Sequence, residues 1–189
     1  MPHPVERYHL TEIRGWMTGE ELAWLYDMAH STMGRILEVG TYCGRSLCAL
    51  LAGQRDAGRS DGVIGVDTFD GQGTVAEAVV RLNPPETHMA AVRAEVAARS
   101  LPQPILMAMP SAIAALQFLP GELALVFIDG DHGYGAVRAD IARWQPTLRP
   151  GGVLCGHDYD PDWPSVQRAV RDALGEPENP VGSLWMVRA

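Results

Sequence analysis

Residues 123–159 read LALVFIDGDHGYGAVRADIARWQPTLRPGGVLCGHDY. The run 123–128 is six apolar residues without a polar break, ending at Asp129. A strand with no alternation must be buried on both faces, which is the signature of a parallel sheet covered on either side. Val137, Ile141, Trp144 and Leu148 then recur at helical spacing, and Pro150, Gly151 and Gly152 are expected to end that helix. A second apolar run at 153–155 stops just short of His157 and Asp158. The stretch is therefore read as strand, crossover helix, strand, with an ionisable cluster closing each strand.

The same grammar extends outward in both directions. Residues 35–39 form an apolar strand closing at Gly40, and Gly44 opens a helix with Leu47, Leu50 and Leu51 on one face. Strands are expected at 63–66, closing at Asp67, at 105–109 and at 184–187, with a short helix over 111–118. Asp162, Trp163 and Pro164 start another helix whose inward residues are Val166, Ala169, Val170 and Ala173. Ahead of all this, Thr18 and Glu21 make a capping box before Leu22, Leu25, Tyr26 and Ala29. The fold class is α/β: a doubly wound, mostly parallel Rossmann-like sheet with helices on both faces. A single domain spans 1–189, with 1–30 as an N-terminal helical extension. Residues 71–100 hold two weak helical patterns interrupted by Asn83, Pro84 and Pro85, and this segment is the candidate lid.

Composition narrows the function classes. A chain of 189 residues buries about 70% of its unfolded surface, enough for one core without staples. Its net charge of −8 opposes attraction to phosphate backbones and anionic lipid, so neither nucleic acid nor membrane is an expected partner. No apolar run reaches membrane-spanning length and no leader-like stretch opens the chain. Cys43, Cys48 and Cys155 show no paired spacing, which points to a reducing, cytoplasmic setting. The apolar opening helix is a candidate surface for a homo-oligomer.

In an open α/β sheet, ligands bind beyond the carboxyl ends of the strands. Those positions hold Glu38 and Gly40, Asp67, the group Asp129, Asp131 and His132, and finally His157 with Asp158. In the loop EVGTYCG, Gly40 and Gly44 offer close backbone approach, or simply satisfy a strand-to-helix turn. Asp67 suits two ribose hydroxyls. No GxxxxGK[ST] occurs, and Tyr42 breaks the GxGxxG pattern, so triphosphate and simple dinucleotide readings weaken. Glu38 beside few basic groups suits a ligand carrying a cationic amine. Asp129 and Asp131, with His157 and Asp158, end two strands expected to be adjacent, and such a cluster holds a divalent ion such as magnesium or forms acid–base machinery without one. His3, His9, His30 and His88 are read as surface groups, and Trp16 as packing or as the edge of an acceptor pocket.

EVGTYCGRS (38–46), GVDTFDG (65–71) and the long stretch 127–159 resemble successive motifs of class I S-adenosylmethionine (SAM)-dependent methyltransferases, closest to small-molecule O-methyltransferases of the macrocin and catechol types. The resemblance implies SAM as cofactor and a small-molecule acceptor hydroxyl. It places Glu38 and Gly40 at the methionine end, Asp67 at the ribose and Ser111 near the adenine with Phe69 bordering the same pocket, and it counts Tyr42, Gly44 and Asp129 among the cofactor-binding residues. It makes Asp129, His157 and Asp158 the ligands of Mg²⁺ or another divalent cation. The chain departs from the pattern at His157, where such enzymes carry Asp, and a neutral imidazole favours a softer ion or none. His132 stands where the catechol type has a catalytic lysine, and Asp131 where the macrocin type has a carboxylate base. Either residue is then a candidate base, and a SAM-binding domain without catalysis is the alternative.

Overall fold

Strand 36–39 (β1, Ile36–Val39) is buried at every position and lies at the centre of a six-stranded sheet. The computed structural model describes residues 3–70 and 85–189. The other strands are β2 (Val63–Asp67), β3 (Ile105–Ala108), β4 (Leu123–Ile128), β5 (Leu148–Gly156) and β6 (Trp185–Arg188), in the order β3-β2-β1-β4-β5-β6. All neighbours are parallel except β5 and β6. The order reverses between β1 and β4, and this switch point opens the crevice at the carboxyl edge where Val39 pairs with Ile128.

Helices α1 (Pro4–Arg7), α2 (Gly19–Ser31), α3 (Arg45–Asp56) and α4 (Pro85–Ala98) precede or cross one face, and α5 (Ser111–Ala114), α6 (Tyr134–Trp144) and α7 (Pro164–Leu174) the other. The two-residue period of the strands sorts the core. Ile36, Leu125, Phe127 and Val153 meet α2 and α3, whereas Leu37, Val39, Val126 and Leu154 meet α6 and α7. Each fully buried side chain of this size contributes about 1.5–3 kcal/mol. The apolar stripe of α2, with Leu22, Leu25, Tyr26 and Ala29, is buried within this chain, against α3.

Two boundaries differ from the sequence expectation. Helix α6 ends at Trp144 rather than at Pro150, because Pro146 tightens the chain into a 3-10 turn at Gln145–Thr147. Leu148 accordingly opens β5 and pairs with Leu123 instead of continuing the helix. Of the two weak helical patterns expected on either side of Asn83, Pro84 and Pro85, the second is the helix α4, which Pro85 opens. The remainder of the candidate lid, 71–84, lies outside the described residues. Among the described residues no helix is long and apolar enough to cross a membrane, and all three cysteines are free.

Candidate active site

The loop after β1 is built around close approaches. Gly40 has φ +88°, and a Cβ there would lie 2.0 Å from the backbone oxygen of Asp129, so glycine lets β1 and β4 meet at their carboxyl ends. Gly44, at φ +86°, starts α3, and a Cβ there would meet Val92 of α4 at 3.1 Å. Both glycines therefore shape the loop from within the protein.

Asp67 closes β2 and organises that loop. Its Oδ2 accepts hydrogen bonds from the backbone N–H of Thr41 and of Tyr42, each 2.9 Å, and its Oδ1 accepts from the N–H of Phe69 at 2.8 Å. Tyr42 and Phe69 both sit at positive φ (45° and 52°), conformations costly for non-glycine residues and held here by one carboxylate. Tyr42 packs its ring 5.1 Å from that of the exposed Trp16. The side chain of Phe69 is buried in the core, and its carbonyl accepts from Nδ1 of His88 at 2.6 Å. Arg45 binds the carbonyls of Thr11 (2.7 Å), Ile13 (2.5 Å) and Met17 (2.8 Å), tying the segment that carries Trp16 to the start of α3.

Glu38 is completely buried and neither carboxylate oxygen has a hydrogen-bond partner. Burial pushes its pKa up to about 8, with the nearby charges of Asp129 and Asp67 acting the same way. The hydroxyls of Ser46 and Thr41 oppose the shift without making a hydrogen bond to the carboxylate. Ser111 has its hydroxyl engaged twice: it donates to Oδ1 of Asp140 (2.6 Å) and accepts from the indole of Trp144 (2.8 Å).

Across the switch point, Asp129, His132, His157 and Asp158 converge, although they come from two strand ends. Nε2 of His132 lies 2.6 Å from Oδ2 of Asp158, and its ring stacks on Trp163 with centroids 4.2 Å apart. Nδ1 of His157 lies 3.2 Å from Oδ1 of Asp158 and 3.7 Å from Oδ1 of Asp129. Donor atoms of Asp129, His132 and Asp158 all fall within 4.8 Å of one another, a spacing that suits one small cation. The triad expected from the sequence has His157 where this group has His132, while Nδ1 of His157 flanks the same two carboxylates. Asp131 is the member turned aside: its Oδ1 accepts from the backbone N–H of Gly133 at 2.6 Å, in the turn that leads into α6.

The electrostatics follow from the geometry. The hydrogen bond to Asp158 raises the His132 pKa against the opposing pull of burial. Burial would raise Asp158, but the two imidazoles hold it far below the ordinary carboxylate range. Burial would likewise depress His157, yet the surrounding carboxylates of Asp129, Asp158 and Glu21 carry it strongly upward. Glu21 was read from sequence only as a helix cap, and Trp163 only as a helix start. Their roles here depend on partners distant in the chain, so no local pattern marks them.

Comparison with known proteins adds the family. The model of a methyltransferase domain family matches residues 37–159. No curated protein matches. Among solved structures, the SAH-bound methyltransferase PaMTH1 of Podospora anserina is similar, with a TM-score of 0.69 at 18% identity over 100% of this chain and 88% of that one. An O-methyltransferase from Bacillus cereus in complex with SAH gives 0.65 at 17% identity over 98% and 89%. CalS11, a TDP-rhamnose 3′-O-methyltransferase of calicheamicin biosynthesis, gives 0.61 at 21% identity over 88% and 76%. At these identities the likeness is one of fold.

Proposed function

This chain belongs to the methyltransferase domain family, and on that premise we propose that it is a SAM-dependent O-methyltransferase acting on a hydroxyl of a small-molecule acceptor. The observation that carries the reading is the His132–Asp158 pair at the carboxyl edge of β4 and β5, a base with its orienting carboxylate. It stands across the switch point from a loop suited to SAM. Glu38 is a buried carboxylate without a partner, which suits a ligand bearing positive charge. When bound, SAM supplies an electrophilic methyl group on a sulfonium.

The protein's own part is binding, alignment and proton transfer. Glu38 and Gly40 serve the methionine end, and Tyr42, Gly44 and Asp129 complete the cofactor side of the crevice. Asp67 orders the loop amides and keeps lone-pair capacity on Oδ1 for a ribose hydroxyl, with Phe69 and Ser111 toward the adenosine. His132 directs Nε2 to Asp158, so Nδ1 is the nitrogen that takes the acceptor's proton, and Asp158 stabilises the imidazolium that results. Asp131 is the second candidate base, although one of its oxygens is committed to the Gly133 turn. With His132 held by Asp158 as the base, the donors left for a divalent cation are Asp129, Asp158 and Nδ1 of His157, which lies 3.7 Å and 3.2 Å from the two carboxylates. When bound, that ion lowers the pKa of an acceptor hydroxyl. A cytoplasmic location is supported by the unpaired cysteines, and a small acceptor over nucleic acid by the net charge of −8.

Calorimetry with S-adenosylhomocysteine (SAH), followed by methyl transfer from labelled SAM to a panel of phenols and sugars with and without EDTA, tests this. Micromolar SAH binding with transfer to a hydroxyl is the expected result. Binding without transfer to any acceptor would make the chain a SAM-binding domain, and absence of binding would remove the reading altogether.

A further inference from the structure

Glu21 reaches the site from the helix that precedes the sheet. It is only 3% exposed and lies in the first turn of α2. Its Oε2 accepts from the backbone N–H (2.8 Å) and hydroxyl (3.0 Å) of Thr18, which closes the capping box. Its Oε1 accepts from the backbone N–H (2.9 Å) and hydroxyl (3.1 Å) of Ser183, just before β6. The same Oε1 lies 3.3 Å from Nε2 of His157, at ion-pair distance though outside regular hydrogen-bond geometry. The chain folds tightly over this carboxylate: Gly182 has φ +56°, and a Cβ there would come within 2.3 Å of Oε1.

A capping box needs only the first of these contacts, and glutamine closes one as well as glutamate does. The other oxygen of this buried carboxylate faces Nε2 of His157 at 3.3 Å, a contact that no helix cap calls for. On its other edge His157 turns Nδ1 toward Asp158 and Asp129. A carboxylate behind one ring nitrogen orients the ring and keeps a proton on that nitrogen, leaving the other to face hard donors.

We propose that Glu21 is a positioning residue for the divalent-ion site at Asp129, His157 and Asp158: it braces the ring of His157 from behind so that Nδ1 meets the two aspartates. The inference rests on the metal-assisted part of the reading above and makes the N-terminal segment part of the site.

The probe is Mn²⁺ alone, titrated into the full chain, with SAH binding measured in parallel for wild type, Glu21→Gln and Thr18→Ala. Glu21→Gln is expected to weaken Mn²⁺ binding ten- to a hundredfold, with SAH affinity within twofold of wild type. Thr18→Ala breaks the cap but leaves the Glu21–His157 contact, so it lowers Tm without changing Mn²⁺ affinity. Unchanged Mn²⁺ affinity in Glu21→Gln overturns the proposal, as does an equal loss in Thr18→Ala. Nitrogen-15 spectra of the wild-type histidines give a readout that needs no variant to fold. With saturating Mg²⁺, the expected spectrum keeps His157 Nε2 protonated and moves the Nδ1 signal, and the reverse pattern overturns the brace. Wild type that binds SAH but no Mn²⁺ overturns both the brace and the metal, and leaves methyl transfer standing. Wild type that binds neither overturns the SAM reading itself.

Discussion

Asp158 Oδ2 and His132 Nε2 stand 2.6 Å apart, so the carboxylate engages one imidazole nitrogen and leaves Nδ1 as the one that takes the acceptor's proton in the proposed reaction. With Nε2 held by the carboxylate, Nδ1 is left for the proton. Replacing His132 with Ala is expected to lower kcat by about 10²–10⁴ while SAH affinity stays within twofold, because the ring belongs to the proton-accepting side. The charge of Asp158 raises the His132 pKa, so wild-type activity should climb as pH passes through that raised value, and the limb should vanish in the variant. Asp131→Ala, measured alongside, is expected to lose less than about tenfold. The opposite ranking would move the base to the carboxylate.

Asp67 is expected to matter for cofactor affinity through the loop that it organises. Three backbone N–H groups depend on its carboxylate, and hydrogen bonds to a charged group contribute about 1.5–3 kcal/mol each. Asp67→Ala should weaken SAH binding by about ten- to a hundredfold, less than the summed bonds because the loop relaxes and water replaces part of them. Calorimetry checks the number, and an affinity equal to wild type would show that the loop conformation does not serve SAM.

Glu38 supplies a pH dependence. Its carboxyl titrates near 8 in the folded chain against 4.5 as the reference, so the folded state holds the proton more tightly than the unfolded state. The stability that it contributes is complete below the unfolded pKa and is lost as pH rises toward 8, by about 5 kcal/mol in all. In ligand-free protein, Glu38→Gln should therefore exceed wild type in stability by a margin that grows from pH 5 to pH 8. Urea melts at several pH values measure that margin, and a constant difference would show that the carboxyl is not buried unpaired.

Gly40→Ala is expected to be severe although it adds one methyl group. The new Cβ would have to occupy space 2.0 Å from the Asp129 carbonyl and hold φ near +88°. Backbone cannot yield as a side-chain tip can, so the β1–β4 edge must part. Soluble variant should lose several degrees of Tm and most SAH binding, and near-normal binding would show that the loop is not the cofactor cradle.

Local physics made much of this molecule legible from sequence. The buried run 123–128 and the four- and three-residue spacing of Val137, Ile141 and Trp144 are short-range patterns, and they impose a parallel sheet with crossover helices wherever the chain goes. Strand ends that carry Glu38, Asp67, Asp129 and His157 follow from that sheet, since every parallel strand delivers its last residue to the same edge. What the sequence left open is how those groups are shared. The glycine turns looked like room for a ligand, yet Gly40 makes room for the Asp129 carbonyl. Asp67 looked free for ribose but first holds Thr41, Tyr42 and Phe69. Glu21 looked like a cap, and its second partner, Ser183, is 162 residues away. Periodicity records which side of an element is buried, and a hydrogen bond across the fold has no period. Only the closing of α2 and the turn before β6 over the edge of the sheet decided that Glu21 faces His157.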